Sequence, residues 1–392
     1  MSQPILAHHQ INSRSCIVAA SLLSASGATI FMLLPILLGS ASEHLLLNEE
    51  QVGLLASSYF TGFLLVCLSA VFWMRRVNWR VVGGMGSLIL AAGLIASAMV
   101  ESYQALLGSM AVSGVGAGIL YGLAIGVLSD TQNPDRNFGI KLLAEVVLAA
   151  ALLFILPVYV SESWGFKGLM LCVAAVVLLA GLAAFWLPVH GREAVTPTET
   201  ELIQPQKNGP AWLALIALMI YFAGLSGIWA FMERIGAGHG LATDTIGMCL
   251  SFSLLGGALG AFCAALWGDK YGRTLPLVAS SVLLLAVMAI FSAPLNVSAF
   301  ALASFVFAYG WNYGLPYQMG IVVSLDQKGS LAVLMSSFLS LGAIIGPAMG
   351  GMLIVSSGYG GLYLIMALAV VLGLGLFLLL HWPSRRLSSG SP

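Results

Sequence analysis

The chain has 392 residues, of which 59% are apolar and only 8% charged, with a formal net charge of zero at pH 7. A mean hydropathy of +0.99 excludes a water-soluble domain, because so few polar groups cannot cover the surface of a globule. Without a basic cluster nucleic-acid binding is excluded, and continuous apolar runs without strand-like alternation exclude a barrel. An all-α polytopic membrane protein is left.

A helix crossing the hydrocarbon core needs about 20 mostly apolar residues. Runs of that length fall at 16–38, 51–72, 81–100, 104–128, 139–160, 166–187, 211–233, 242–266, 275–293, 297–323, 331–355 and 360–381, so about twelve transmembrane helices are predicted. The first run is too long, and its leader too uncharged, for a cleaved signal peptide; it is expected to stay as a helix. If the N-terminus is cytoplasmic, the inner breaks hold thirteen basic residues, from Arg14 and Arg75 to Arg385 and Arg386, against Lys167 and Arg234 outside. That asymmetry predicts cytoplasmic termini in an inner (plasma) membrane.

Taken in chain order, polar residues at membrane depth are few, and such residues mark function by default. Tyr121 lies in the fourth span. In the fifth, Lys141 and Glu145 share a face near the cytoplasmic end, and Glu145 is either a proton-coupling acid or a structural partner of Lys141. The stretch 188–210, rich in Pro, Thr and charge, reads as a cytoplasmic linker. It divides the chain into two six-helix bundles, 1–187 and 211–392. In the seventh span Phe222, Ser226, Trp229 and Glu233 fall on one face, which suits an amphipathic ligand, with Glu233 a second candidate coupling acid. The alternative is an interfacial tryptophan beside an ordinary Glu233–Arg234 pair.

The tenth span carries Phe307-Ala308-Tyr309-Gly310-Trp311-Asn312-Tyr313-Gly314-Leu315-Pro316-Tyr317-Gln318. Tyr309, Asn312, Tyr313, Pro316 and Tyr317 share one face, and Trp311 and Gln318 point away from it. Buried phenols and amides must find partners, so this face is expected to line a substrate cavity, with helix–helix adhesion as the bland alternative. Glycines at four-residue spacing, such as Gly114, Gly118 and Gly122 or Gly342, Gly346 and Gly350, predict close helix packing. Five cysteines without a CxxC pair, and no histidine inside a span, predict neither metal site, disulfide nor cofactor.

The halves repeat. Tyr121-Gly122-Leu123 finds Tyr313-Gly314-Leu315, and Gln51-Val52-Gly53 finds Thr245-Ile246-Gly247, at nearly one offset. Six plus six helices, parallel halves and a central linker resemble the major facilitator superfamily, as does the loop Gly268-Asp269-Lys270-Tyr271-Gly272-Arg273. The matching stretch of the first half, from Trp73 to Arg80, lacks the acid and the glycine of that loop. The fourth span lacks the arginine of the superfamily's proton-coupled drug exporters. Their fifth-span Gly-Pro motif is also missing, though Gly346-Pro347-Ala348-Met349-Gly350-Gly351 in the eleventh is similar. The resemblance implies a cytoplasmic gate in which Asp269 caps the fifth span near Gly139 and Lys141, with Arg273 in the same motif. By repeat offset Arg75 takes the acid's place, answered by Asp326.

The resulting expectation is a secondary active transporter, not an enzyme. It would move a small amphipathic solute by alternating access through a site near mid-bilayer, with a proton as candidate coupling ion and a lean to efflux. Lipid is its only other partner, and the resemblance implies a monomer. An uptake permease or facilitator is the alternative, then a non-transporting sensor on the same fold. Direct ATP use is excluded by the lack of a P-loop. The Gly224-Leu225-Ser226-Gly227 match to intramembrane serine proteases has no histidine at its depth.

Overall fold

The computed structural model describes residues 11–74, 76–190, 209–268, 270, 272–326 and 334–381. Helix starts are set by side chains that satisfy the first unpaired amides. Helix α1 (Arg14–Leu45) begins at Ser13, whose hydroxyl accepts from the Cys16 amide at 3.2 Å. A reciprocal box opens α2 (Glu49–Trp73): the Gln51 amide donates to Asn48 Oδ1 at 2.9 Å and the Asn48 amide to Gln51 Oε1 at 3.0 Å. Asn78 and Ser102 cap α3 (Trp79–Met99) and α4 (Tyr103–Ser129). Then follow α5 (Pro134–Ile155), α6 (Glu162–Gly181), α7 (Gly209–Ala230), α8 (Thr243–Trp267), α9 (Thr274–Phe291), α10 (Val297–Leu325) and α11 (Met335–His381).

Among the described residues, ten helices are long and apolar enough to cross a membrane. Two of the expected twelve spans lie in α11, which Gly358 bends at φ 69° and ψ −176°. The remaining span, α10, is 29 residues long but falls outside the ten because its tyrosines, Asn312 and Gln318 dilute the apolar run. The large apolar side chains left exposed, such as Leu88, Leu302 and Leu364, suit lipid rather than water.

Two span ends differ from expectation. A π-helical turn, Leu156–Ser161, extends α5, and the chain reverses at Gly165 (φ 55°, ψ −152°) within the segment assigned to α6. The seventh span, expected to reach 233, stops at Ala230. Phe231 leaves helical geometry (φ −100°, ψ 8°) before a short helix, Met232–Gly238. That turn sets the fully buried Phe231 ring against Gly350.

By packing, the chain divides into two units: Met1–Leu46 with Ser58–Pro205, and Leu47–Ser57 with Gln206–Pro392. A boundary confined to the linker does not describe this division, since residues 47–57 of the first six-helix stretch pack in the second unit. They do so because glycines bring backbones together there. An ideal Cβ on Gly53 would lie 2.1 Å from the Pro347 carbonyl oxygen, and one on Gly351 2.2 Å from that of Glu49.

Each unit repeats one packing scheme. In the first, α1 packs on α4, α5 and α6, and α3 on α4 and α6; in the second, α7 packs on α10 and α11, and α9 on α10 and α11. The repetition extends to single contacts. A Cβ on Gly62 would meet the Ala111 carbonyl oxygen at 2.0 Å, and one on Gly256 the Phe305 carbonyl oxygen at 2.4 Å. Both members of the pair are shifted by 194 residues (256 − 62 and 305 − 111). The positive-φ glycines 165 and 358 are shifted by 193 (358 − 165).

Candidate functional site

In the first unit the charged residues of α5 meet inside the bundle. Lys141 and Glu145 side chains are 7% and 2% exposed and form an ion pair, Nζ to Oε1, of 2.6 Å. Ser24 of α1 donates to the same carboxylate oxygen at 2.5 Å. The Lys141 ammonium also lies 4.1 Å from the centre of the Tyr121 ring on α4, a cation–π distance. Phe63 of α2 packs at 5.8 Å from that ring. Charges taken out of water persist only when paired and hydrogen-bonded, and three helices supply the partners here.

Tyr121, Lys141 and Glu145 are thus brought together, and Ser24 joins them unforeseen. A serine in a first span full of serines gives no sequence signal of its own. Lys141, expected at the cytoplasmic gate, has its ammonium committed to Glu145 and Tyr121. Arg75 and Asp269, also expected at that gate, lie outside the described residues. Arg273 donates from Nη1 to the Gly320 carbonyl oxygen at 2.7 Å, and Asp326 is buried where α10 ends.

In the second unit the aromatic residues divide into two sets. Trp311 stands edge-on to Phe222 of α7 at 5.2 Å, to Trp229 of α7 at 6.5 Å and to Phe307 at 5.7 Å. Phe222 and Trp229 therefore meet the Trp311 side of α10, not its tyrosine face. Ser226, expected beside them, instead donates to the Gly342 carbonyl oxygen of α11 at 3.1 Å.

The tyrosine face itself turns to α8. Tyr309 stacks on Tyr313 at 5.6 Å, Tyr313 meets Tyr317 at 5.5 Å, and Trp267 meets Tyr313 at 5.6 Å. Tyr313 and Tyr317 are buried against Ala264 and Cys263, whereas Tyr309 and Asn312 are half-buried. The Asn312 amide donates to its own helix, at the Ala308 carbonyl oxygen, 2.9 Å away. Tyr313 and Tyr317 thus take part in the contact between α8 and α10.

At the other end of α7, Glu233 is buried in the short helix that follows. Arg234 makes an ion pair that the Glu233–Arg234 spacing does not suggest. Its Nη2 lies 2.6 Å from Glu49 Oε1. Burial opposes the guanidinium charge, but the hydrogen bonds and charge of Glu49 outweigh it and raise the Arg234 pKa. Sequence proximity cannot reveal a partner 185 residues away. Among the described residues, no group of three or more His, Cys, Asp or Glu could hold a metal ion.

Among the described residues, apolar helices of membrane-spanning length fall into two like-built units, with the buried Lys141–Glu145 pair and an aromatic cluster inside helices, which is the make-up of a polytopic membrane protein. The chain belongs to the Major Facilitator Superfamily, whose sequence pattern it matches over residues 17–315 and 214–392. It is 23% identical over 340 residues to the uncharacterised MFS-type transporter YcaD of Escherichia fergusonii, covering 85% of this chain and 86% of that one. To the YcaD of Shigella flexneri it is 25% identical over 337 residues, again covering 85% and 86%. The crystal structure of the nucleoside transporter NupG superposes with a TM-score of 0.73 at 15% identity, over 93% of this chain and 98% of that one. A bacterial homologue of the human lysosomal transporter Spinster, inward-facing and unoccupied, gives 0.67 at 16%, over 95% and 96%. These two likenesses show the fold alone.

Proposed function

We propose that this transporter carries a small, largely uncharged, ring-bearing organic solute outward across the inner membrane by alternating access, as a monomer with both termini cytoplasmic. The observation that carries the reading is Trp311, held at mid-helix by Phe222, Trp229 and Phe307. Edge-to-face aromatic sets offer a flat apolar wall that binds ring faces without a fixed charge. Half-buried Tyr309 and Asn312 add hydrogen-bonding groups at the same level of α10. Phe222 and Trp229 are contact residues in this reading, Tyr313 and Tyr317 support them, and Ser226 fixes α7 to α11. Glu145 carries the coupling proton, with Lys141 and Tyr121 holding its place when it is charged. Glu233 is the second acid to test, and the loop of Asp269 and Arg273, with Arg75 and Asp326, closes the cytoplasmic side.

The test is a thermal-shift screen of purified protein at about pH 6 and pH 8 with nucleosides, other neutral aromatics, organic acids, organic cations and sugars. A ligand specific for the folded state adds about 2.7 kcal/mol at a hundredfold excess over its dissociation constant. Stabilisation by ring-bearing neutral compounds is expected, abolished in Trp311→Ala. A pH difference in proteoliposome flux of the hit should vanish in Glu145→Gln. Stabilisation by sugars or anions alone, or a hit indifferent to Trp311, overturns the reading.

A further inference from the structure

We propose that the second unit holds a further small-molecule site, independent of the transport reading, which takes a planar heteroaromatic ring bearing an N–H donor. The site is a cavity walled by His239, Phe291, Ser292, Tyr359 and Tyr363. It lies among the short helix Met232–Gly238, the end of α9 and the bend of α11. Its volume is about 240 Å³. A dry cavity of about 150 Å³ accommodates benzene, so two fused rings fit here.

The walls combine ring faces with a few polar groups, the usual make-up of a small-molecule site. The Phe291 and Tyr363 rings lie 6.4 Å apart at 33°, and the Tyr363 and Tyr359 rings 6.5 Å apart at 36°. The Tyr359 hydroxyl donates to Glu49 Oε1 at 3.3 Å, so what this half-buried residue offers a ligand is its ring. His239 Nδ1 lies 2.9 Å from the Ile235 carbonyl oxygen. A carbonyl only accepts, so Nδ1 carries the proton and Nε2 of the neutral imidazole is an acceptor. The Tyr363 hydroxyl has no hydrogen-bond partner among the described residues and can donate or accept. A ring N–H answers His239, and a second ring nitrogen answers Tyr363.

The internal repeat shows which kind of ring belongs there. Gly165 and Gly358, both at positive φ, are each followed by an aromatic residue, Phe166 and Tyr359. The glycines are 193 residues apart (358 − 165), and His44 and His239 are 195 apart (239 − 44). In the first unit the His44 ring stacks on Phe166, with centres 5.4 Å apart and planes inclined at 23°. In the second unit His239 turns back to its own helix, and among the described residues no imidazole stacks on Tyr359. The first unit thus fills with its own histidine ring the place that the second leaves open.

Ser292 is exposed on the cavity wall, so Ser292→Cys reports occupancy. Its reaction with a water-soluble maleimide is followed in purified protein at about pH 8, with and without benzimidazole. Label taken up by the five native cysteines is subtracted. Saturating benzimidazole is expected to slow the reaction about tenfold, since a pocket buries most of its ligand and shields the thiol. The N-methyl derivative, which lacks the N–H, should need about three to ten times the concentration for half protection. Cyclohexanol, which lacks a ring face, should not protect. In the Ser292→Cys background, His239→Ala and Tyr363→Phe should each weaken protection about threefold to tenfold, and Tyr359→Leu about tenfold. Trp311→Ala should leave it unchanged. No protection, equal protection by all three probes, or protection lost in Trp311→Ala overturns the site. So does protection that neither His239→Ala nor Tyr363→Phe weakens. If another variant does not fold, Tyr363→Phe, which removes one oxygen atom, decides alone. Protection is read at one cysteine and the Trp311-dependent thermal shift on the whole protein, so the two readings fail independently.

Discussion

A lysine and a glutamate one turn apart on an exposed helix are worth a few tenths of a kcal/mol. Lys141 and Glu145 are not in that situation, because Ser24 and the Tyr121 ring close over them inside the first unit. Removing one member leaves an uncompensated buried charge. Lys141→Gln is therefore expected to lower unfolding stability by about 3–5 kcal/mol, whereas Lys141→Met with Glu145→Leu recovers most of that loss. Denaturation of the purified variants measures both, and a double variant no more stable than the single contradicts the buried-pair account. Solute flux should be lost in both variants, which separates the pair's role in transport from its role in folding. The pair was legible as a spacing in the sequence. Its burial and its hydroxyl and aromatic partners were not, since they come from helices that only folding brings near.

At the scale of the helix, glycine does two different jobs. At Gly62 and Gly256 it lets a carbonyl of the neighbouring helix come within 2.0 and 2.4 Å of where a Cβ would stand. Gly84 has nothing within 4 Å of that point. Alanine at Gly62 or Gly256 must push two backbones apart and is expected to lower the melting temperature and the yield of monodisperse protein. Alanine at Gly84 should be neutral or stabilising by up to about 1 kcal/mol, its helix-propensity gain. Equal effects at all three sites would show that the carbonyl contacts do not matter. At Gly358 the requirement is conformational. Its φ of 69° with ψ near 180° belongs to a region that is essentially glycine-only, so Gly358→Ala should cost about 1–3 kcal/mol in the same unfolding assay. Four-residue glycine spacing announced the first job at Gly256, which Gly260 follows, but not at Gly62, which stands outside any such series. The second showed only as a short break between apolar runs.

At the scale of the whole molecule, the packing division runs through α2 and not through the linker alone. A chain cut by a protease site placed within residues 191–208 should therefore yield two fragments that elute together. The first fragment contributes residues 47–57 to the second unit, seated by Gly53, Ser57 and Glu49. Fragments that separate in mild detergent would show that this seating is too weak to hold them. A further substitution of Glu49→Gln in the cut chain should weaken co-elution if the Glu49–Arg234 ion pair contributes to it.

The amino-acid sequence by itself determined the solvent, the twelve spans and the two-fold internal repeat. Each depends on local composition and periodicity, which need no partner to be read: a run of about 20 apolar residues is a span wherever it lies. The loop from Gly268 to Arg273 carried the family for the same reason. The tertiary structure decided which polar residues meet. It set Trp311 against Phe222 and Trp229, gave Tyr313 and Tyr317 to the α8 contact, and joined Arg234 to Glu49, 185 residues away. Helical periodicity places a side chain on a face, but it does not say which neighbouring helix that face will meet. That choice is made by the small residues that let particular backbones approach, and it exists only once the helices have packed.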